Sequence, residues 1–150
     1  MSNINTKHYD ETVDIFSTYR IAKNIMKSPI VEEQIKRGYF DDEEMAKDVK
    51  RAQDIVCLVD KAVLKINTVK DGDRLSKILF YRYMNPTPLS EEEIMLRLSY
   101  ENTAKTRATY YRLRNKALCI ASNLIWEEDT KLKTIQTVNI PKRETRYENN

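Results

Sequence analysis

Apolar residues recur at steps of three and four along most of the chain, which is the spacing of one face of an α-helix. This pattern predicts a first helix over residues 12–27. Its inner face contains Ile15, Tyr19, Ala22 and Met26. The Ser28-Pro29 pair then predicts a second, short helix, because serine is a frequent N-cap and proline fits the first helical position. Gly38 predicts the end of that helix, since glycine often follows a helix C-terminus.

The longest predicted helix covers residues 42–68. Its apolar residues alternate steps of four and three: Met45, Val49, Ala52, Val56, Val59, Val63 and Ile66. A narrow seam of this kind must face another helix. The pattern fits antiparallel pairing with the first helix inside one chain, and it also fits a dimerising coiled coil. The short length of the seam favours the pairing inside one chain.

Two further helices precede the most basic part of the chain. Asp73 predicts the cap of a helix that ends near Met84, where Asn-Pro-Thr-Pro stops it. The inner face of this helix contains Leu75, Ile78, Leu79 and Tyr83. Ser90 and Glu93 predict a capping box at the start of the next helix. A turn over residues 99–102 then separates that helix from the basic one.

The segment TRATYYRLRNKAL, residues 106–118, predicts a helix that has Thr106 as its cap and continues to Trp126. Its inner stripe contains Tyr110, Leu113, Ala117, Ile120 and Leu124. A solvated surface helix would present the same pattern, because most surface helices have a charged outer face. The distribution of charge distinguishes a solvated surface helix from a helix that contacts a polyanion.

The net charge of +3 is too small to indicate a polyanionic partner by itself. Residues 1–70 contain 12 basic and 12 acidic side chains, whereas residues 71–150 contain 14 and 11. Within residues 102–126 there are five basic side chains and no acidic one. A helix exposed only to solvent normally interleaves acids with bases, so this unrelieved repulsion favours a polyanion such as DNA.

A helix of about ten residues, a tight turn and a second helix with a basic outer face form the layout of a helix-turn-helix, whose second helix enters the major groove of DNA. The candidate DNA-binding residues are Lys105, Thr106, Arg107, Ala108, Tyr111, Arg112, Arg114, Asn115 and Lys116. The candidate base readers among them are Arg107, Ala108, Tyr111, Arg112 and Asn115. Arginine can donate two hydrogen bonds to guanine, and asparagine can pair with adenine. The others suit phosphate contacts, which cations and a helix N-terminus provide.

The composition supports a helical fold. The chain of 150 residues is 41% hydrophobic and 33% charged, with only two Gly and four Pro, so it has few of the turn residues that sheets require. We therefore predict an all-α protein, with an N-terminal helical region that includes the long helix and a C-terminal helix-turn-helix. Residues 1–70 would dimerise or contact a partner, residues 71–128 would bind DNA, and residues 129–150 would form a flexible tail.

Other classes of function are less well indicated. The sequence has no run of 18 apolar residues and no signal-peptide pattern, so we expect a cytoplasmic protein without a membrane contact. Cys57 and Cys119 are interpreted as reduced core residues. His8 is the only histidine, no glycine-rich phosphate loop is present, and the acidic run at residues 91–93 is explained by a helix start. We expect neither an enzyme nor a catalytic, metal or cofactor site.

The motifs ILFYRYM, LSEEEIMLRL and TYYRLRNKALCIASNL, within residues 77–124, resemble the C-terminal half of the ArpU and RinA-type phage transcriptional regulators of low-GC Gram-positive bacteria. The resemblance implies a phage or prophage activator of late genes that acts in the bacterial host cell. It also implies that residues 109–118 form a recognition helix similar to that of sigma-factor region 4. Double-stranded DNA would be the partner, together with RNA polymerase or a second copy of the chain.

This chain departs from the family pattern before its Thr-Tyr-Tyr run. Family members place a Gly-Tyr-Ser-like turn directly before that run, whereas residues 101–105 here separate Ser99-Tyr100 from Thr106. Either the turn is an enlarged loop, or Asn102 caps the helix and lengthens it at its start. The second arrangement would bring Ala104 and Lys105 first to the groove.

Two other functions remain open at this point. A DNA-packaging protein of small-terminase type also joins a helix-turn-helix to an oligomerising helical region, and the seam of residues 45–66 would then assemble a ring. A protein-interaction module is the other alternative, in which the basic helix faces an acidic surface, for instance on RNA polymerase.

Overall fold

Helices account for all the regular secondary structure in residues 8–127, the part of the chain that this computed structural model describes. In chain order they are α1 (Tyr9–Ser17), α2 (Tyr19–Lys27), α3 (Pro29–Arg37), α4 (Glu43–Ile66), α5 (Gly72–Leu79), a π-helical segment (Phe80–Met84), α6 (Glu91–Tyr100) and α7 (Arg107–Glu127). The all-helical fold class is confirmed. The predicted tail at residues 129–150 lies outside the described residues.

The first predicted helix is two helices, α1 and α2, which meet at Thr18. The prediction of one continuous helix over residues 12–27 was wrong, and α1 also begins earlier, at Tyr9. The Thr18 hydroxyl donates a hydrogen bond to the carbonyl of Asp14 at 2.7 Å, and side-chain bonds of this kind bend helices. The break also changes which residues of this segment face the core. Ile25 is buried, whereas Met26 is only half-buried.

The predicted limits of α3 are confirmed. Pro29 occupies the first position and Gly38 the C-cap, where a φ of 89° places it in the left-handed region that favours glycine. Ser28 holds the N-cap position in an extended conformation, but its side chain makes no capping hydrogen bond. The start of this helix therefore depends on the proline and on the backbone conformation of the cap residue.

The apolar seam of α4 is covered by α2 inside the chain. The contact between these two helices is the most extensive between any two helices of residues 8–127. At one end of it, the Tyr19 hydroxyl donates to a carboxylate oxygen of Asp60 at 2.7 Å, and burial together with this bond raises the pKa of Tyr19. Pairing within one chain is thus the arrangement observed.

The buried stripe of α4 differs in detail from the predicted seam. Met45, Val49, Ala52, Val59 and Ile66 are buried, as predicted. Val56 and Val63 are only half-buried, and their neighbours Ile55 and Ala62 are buried instead. A straight α-helix repeats every 3.6 residues, so a strict heptad seam drifts away from its partner unless the helices supercoil.

The turn between α4 and α5 brings two backbone segments into close contact. α5 begins at Gly72 rather than at Asp73, which lies in the first turn, so the predicted cap was wrong. The N-cap is Asp71, which has a left-handed φ of 64°. A Cβ atom on Gly72 would overlap the backbone carbonyl oxygen of Ile66. Glycine is therefore required at this crossing.

The helix predicted to run to Met84 is α-helical only to Leu79. In the π-helical segment that follows, the backbone N–H of Asn85 donates to the carbonyl of Phe80, five residues earlier, at 2.7 Å. The guanidinium of Arg20 on α2 donates to the carbonyls of Asn85 at 2.6 Å and Arg82 at 3.1 Å. Through this tertiary contact, Arg20 binds carbonyl oxygens at the end of the helix. Nothing in the local sequence predicted it.

Both predicted regions contribute to one hydrophobic core. α7 packs against α1 and α4 from residues 1–70 and against α5 from residues 71–128. The separate roles assigned to these regions remain predictions. The interpretation of Cys57 as a core residue was wrong, because its side chain is exposed on α4. Cys119 on α7 is half-buried, and its burial raises the pKa of the thiol.

We expect Gly72→Ala to lower the free energy of unfolding by about 3 kcal/mol, because the methyl group can be accommodated only if the backbone moves. Gly38→Ala is the matched control. A Cβ atom there meets no atom within 4 Å, so the cost is the left-handed strain alone, about 1 kcal/mol. Urea unfolding followed by circular dichroism measures both. Equal losses would contradict the close approach at Gly72.

Candidate nucleic-acid interface

α6 begins with the predicted capping box. The backbone N–H of Glu93 donates to the Ser90 hydroxyl at 3.1 Å, and the backbone N–H of Ser90 donates to the Glu93 carboxylate at 2.9 Å. The helix continues to Tyr100, so the turn predicted over residues 99–102 starts too early. These two reciprocal hydrogen bonds fix the first turn of α6, which includes Glu91.

An enlarged loop connects α6 to α7. Asn102 has a left-handed φ of 60°, its N–H donates to the carbonyl of Ser99 at 3.0 Å, and the N–H of Thr103 donates to the carbonyl of Leu98 at 2.7 Å. This pair of bonds is the Schellman motif, which ends a helix. The guanidinium of Arg74 holds the loop by donating to the Thr103 carbonyl at 2.8 Å.

Thr106 is the N-cap of α7. Its hydroxyl accepts a hydrogen bond from the backbone N–H of Thr109 at 3.1 Å, and the helix begins at Arg107. Of the two arrangements compatible with the sequence, the enlarged loop with Thr106 as the cap is observed. Asn102 ends α6 and does not start α7.

The buried side of α7 is wider than the predicted stripe. Tyr110, Leu113 and Ala117 are buried as predicted, but Ile120 and Leu124 are only half-buried. Four other residues complete the buried side: Leu118, Ala121, Ser122 and Ile125. The widening has a physical cause, because α1 packs on α7 in addition to α4 and α5.

The opposite side of α7 and its preceding residues form an exposed surface that we call the basic face. Its members are Lys105, Thr106, Arg107, Ala108, Arg112, Asn115 and Lys116, all of them exposed. The other two candidate DNA-binding residues, Tyr111 and Arg114, are half-buried. Seven of the nine candidate residues therefore lie together on one accessible surface, and it carries four cationic side chains.

Tyr111 is engaged by the first turn of α6. Its hydroxyl donates to a carboxylate oxygen of Glu91 at 2.8 Å. The adjacent Arg107 is affected as well. The Tyr111 oxygen raises the pKa of the Arg107 guanidinium, and the carboxylates of Glu91 and Glu92 raise it further. Acidic groups that are absent from residues 102–126 are thus supplied by a neighbouring helix.

Asn115 and Arg114 are engaged by α1 and by each other. The Tyr9 hydroxyl donates to the side-chain oxygen of Asn115 at 3.2 Å, and the Arg114 guanidinium donates to the same oxygen at 3.2 Å. The Arg114 guanidinium also lies 5.0 Å from the centre of the Tyr111 ring, within range of a cation–π interaction. Sequence reasoning missed Tyr9, which is 106 residues from Asn115 along the chain and carries no motif.

α1 also contacts the C-terminal end of α7. The rings of His8 and Trp126 stack with centres 3.8 Å apart, and the Trp126 indole N–H donates to the Thr12 hydroxyl at 3.2 Å. Trp126, Asn115 and Tyr111 are separated by eleven and four residues, so they lie along one edge of the helix. The contacts from α1 and α6 therefore border the same edge of the basic face.

Buried polar side-chain atoms lie on α7 and on the π-helical segment. Among the described residues, nothing forms a hydrogen bond with the buried Tyr110 hydroxyl or with the buried Nε atoms of Arg82 and Arg114. Burial raises the pKa of Tyr110, so this hydroxyl stays protonated in the neutral range. Buried polar groups of this kind are usually satisfied by ordered water.

The structure of residues 8–127 also bears on two other kinds of site. No group of three or more His, Cys, Asp or Glu side chains within residues 8–127 is arranged to hold a metal ion. None of the helices in that range combines the length and the apolar character needed to cross a membrane.

Comparison of the chain with protein-family models, with curated proteins and with solved structures found no match. The similarity of residues 77–124 to phage regulators therefore rests on the sequence motifs and stays a prediction.

We expect Thr106→Ala to lower the free energy of unfolding by about 1 kcal/mol, because an N-cap hydroxyl satisfies a backbone N–H that alanine leaves unpaired. Thr106→Ser keeps the hydroxyl and should cost less than about half as much. Both values come from urea unfolding. If serine and alanine destabilise the protein equally, the hydroxyl is not the stabilising group.

Proposed function

We propose that the protein binds double-stranded DNA in a sequence-specific manner, with α6 and α7 acting as a helix-turn-helix. The observation that carries this proposal is the basic face, an accessible surface on α7 and the two residues before it. It has four cations and no carboxylate of its own. Such a surface is attracted to phosphates, and a helix can enter the major groove. The N-terminal half of α7 would make the contacts with bases.

The roles of individual residues follow from their chemistry and exposure. Arg107 and Arg112 are exposed and would each donate two hydrogen bonds to guanine. Asn115 would read adenine only after its side-chain oxygen is released by Tyr9 and Arg114. Lys116 would contact phosphate, together with Lys105 and the free backbone N–H groups that follow Thr106.

The biological role we propose is that of a phage or prophage transcriptional regulator that activates late genes in the cytoplasm of a bacterial host. This part of the proposal is supported by the similarity of residues 77–124 to ArpU and RinA-type regulators. In this role the N-terminal helices would contact RNA polymerase or a second copy of the chain. A regulator of this kind needs no enzymatic activity of its own.

The packaging alternative loses the observation that favoured it. Assembly of a ring would use the apolar seam of α4, and α2 covers that seam inside the chain. A protein-interaction module remains an outcome of the experiments below, since an acidic protein surface is also attracted to a basic face. Absence of DNA binding at low salt would favour that module.

The affinity for DNA should fall steeply with salt. If about five phosphates are contacted, the logarithm of the association constant should fall against the logarithm of salt concentration with a slope of roughly −4 to −5. Fluorescence anisotropy with a labelled duplex at several salt concentrations measures this slope. A slope near zero would contradict binding through the basic face.

Arg112→Ala should weaken binding to the preferred site by about 1–3 kcal/mol and relax the base preference, whereas Lys116→Ala should weaken binding to all sequences alike. The two variants are matched, because both residues are exposed on α7 and each loses one positive charge. Selection from randomised duplex DNA identifies the preferred site first. An Arg107→Ala, Arg112→Ala double variant should enrich no motif in a parallel selection.

Equal losses from Arg112→Ala and Lys116→Ala on every sequence would overturn the division into base readers and phosphate contacts. If neither the unmodified protein nor the variants enrich a motif, sequence-specific recognition by α7 is excluded.

A further inference from the structure

We propose that Glu91 acts as an electrostatic brake on DNA binding, because in the free protein its carboxylate accepts the hydrogen bond of Tyr111, a donor that would otherwise bind a DNA phosphate. This inference rests on the proposed function and identifies a residue of α6 that sets the affinity of the basic face of α7. It predicts that removal of one carboxylate charge strengthens DNA binding.

Glu91 is held in a fixed position beside α7. It is the first residue of α6, and the capping box between Ser90 and Glu93 fixes the backbone around it. Its side chain is half-buried, whereas the two glutamates that follow it are exposed. Its carboxylate oxygen lies 2.8 Å from the Tyr111 hydroxyl. A carboxylate is therefore held directly at the first turns of α7.

Two donors of α7, one hydrogen-bonded to Glu91 and one within reach of its charge, are suited to phosphate. The hydroxyl of Tyr111 and the guanidinium of Arg107 are groups that hydrogen-bond phosphate oxygens in protein–DNA interfaces. Tyr111 donates to Glu91 in the free protein, and the Glu91 carboxylate is close enough to favour the charged form of Arg107. A phosphate that approached these two groups would meet an anion already in place.

The hydrogen bond and the charge of Glu91 lower the affinity of this edge of α7 for phosphate. A phosphate can bind at this edge only if the Tyr111 hydroxyl is released from Glu91 and if the repulsion between the two anions is overcome. This cost does not depend on base sequence. It lowers the background affinity for random DNA, which arises almost entirely from phosphate contacts, and so it limits occupancy of the many competing sites in a genome.

Two single-charge variants separate this role from a general charge effect. Glu91→Gln keeps an oxygen that can accept the Tyr111 hydrogen bond but removes the charge. Glu92→Gln removes the same charge from the next residue, which is exposed and makes no hydrogen bond with Tyr111 in the structure. Urea unfolding of both variants verifies that each is folded.

The experiment measures the affinity of the full chain for a random-sequence duplex by fluorescence anisotropy, at about 50 and 200 mM salt. We expect Glu91→Gln to bind about three- to tenfold more tightly than the unmodified protein. Glu92→Gln should gain clearly less, because the Glu92 carboxylate favours the charged form of Arg107 but makes no hydrogen bond with Tyr111. The gain from Glu91→Gln should shrink at the higher salt, because the interaction is between charges.

The outcomes distinguish this inference from the proposed function. If the unmodified protein binds DNA and Glu91→Gln binds equally or more weakly, the brake is refuted and the DNA-binding proposal stands. Equal gains from Glu91→Gln and Glu92→Gln would also refute it, since a general charge effect would explain both. If neither the unmodified protein nor Glu91→Gln binds DNA at low salt, both proposals fail.

Discussion

The packing of α7 between helices from both halves of the chain determines which of its side chains can meet a partner. α1 contacts it through Tyr9 and through the stacked rings of His8 and Trp126, while α5 packs against its inner side. These contacts cover more of α7 than a single hydrophobic stripe would require. What remains accessible is the basic face, and its position follows from the packing rather than from α7 alone.

Local signals in the sequence predicted the ends of several helices correctly. Pro29 and Gly38 limit α3, Ser90 with Glu93 starts α6, and Thr106 caps α7. Each of these features depends on residues within three or four positions of one another, so the chemistry of the local segment is sufficient to specify it. The helical spacing of apolar residues likewise predicted the all-helical fold of residues 8–127, and most of the residues that it assigned to inner faces are buried.

The features that were missed depend on contacts that the spacing of apolar residues does not describe. Gly72 is required because the backbone at Ile66 passes close to it, and the π-helical segment ends where Arg20 of another helix reaches its carbonyls. Neither contact has a sequence spacing that a periodicity argument could use. The break at Thr18 is a different case, because the signal was local, but a threonine inside an apolar pattern is common and does not by itself mark a bend.

Tertiary structure changes the interpretation of the charge pattern of α7. Within residues 102–126 the basic side chains have no acidic neighbours, which favoured a polyanionic partner. In the folded chain, Glu91 accepts a hydrogen bond from Tyr111. Tyr111, and to a smaller extent the carboxylates of Glu91 and Glu92, favour the charged form of Arg107, so part of the repulsion is already relieved. This relief reaches only one edge of α7. Arg112 and Lys116 lie on the exposed side of the helix, away from the edge that α1 and α6 cover, so the positive charge available to a polyanion is concentrated there.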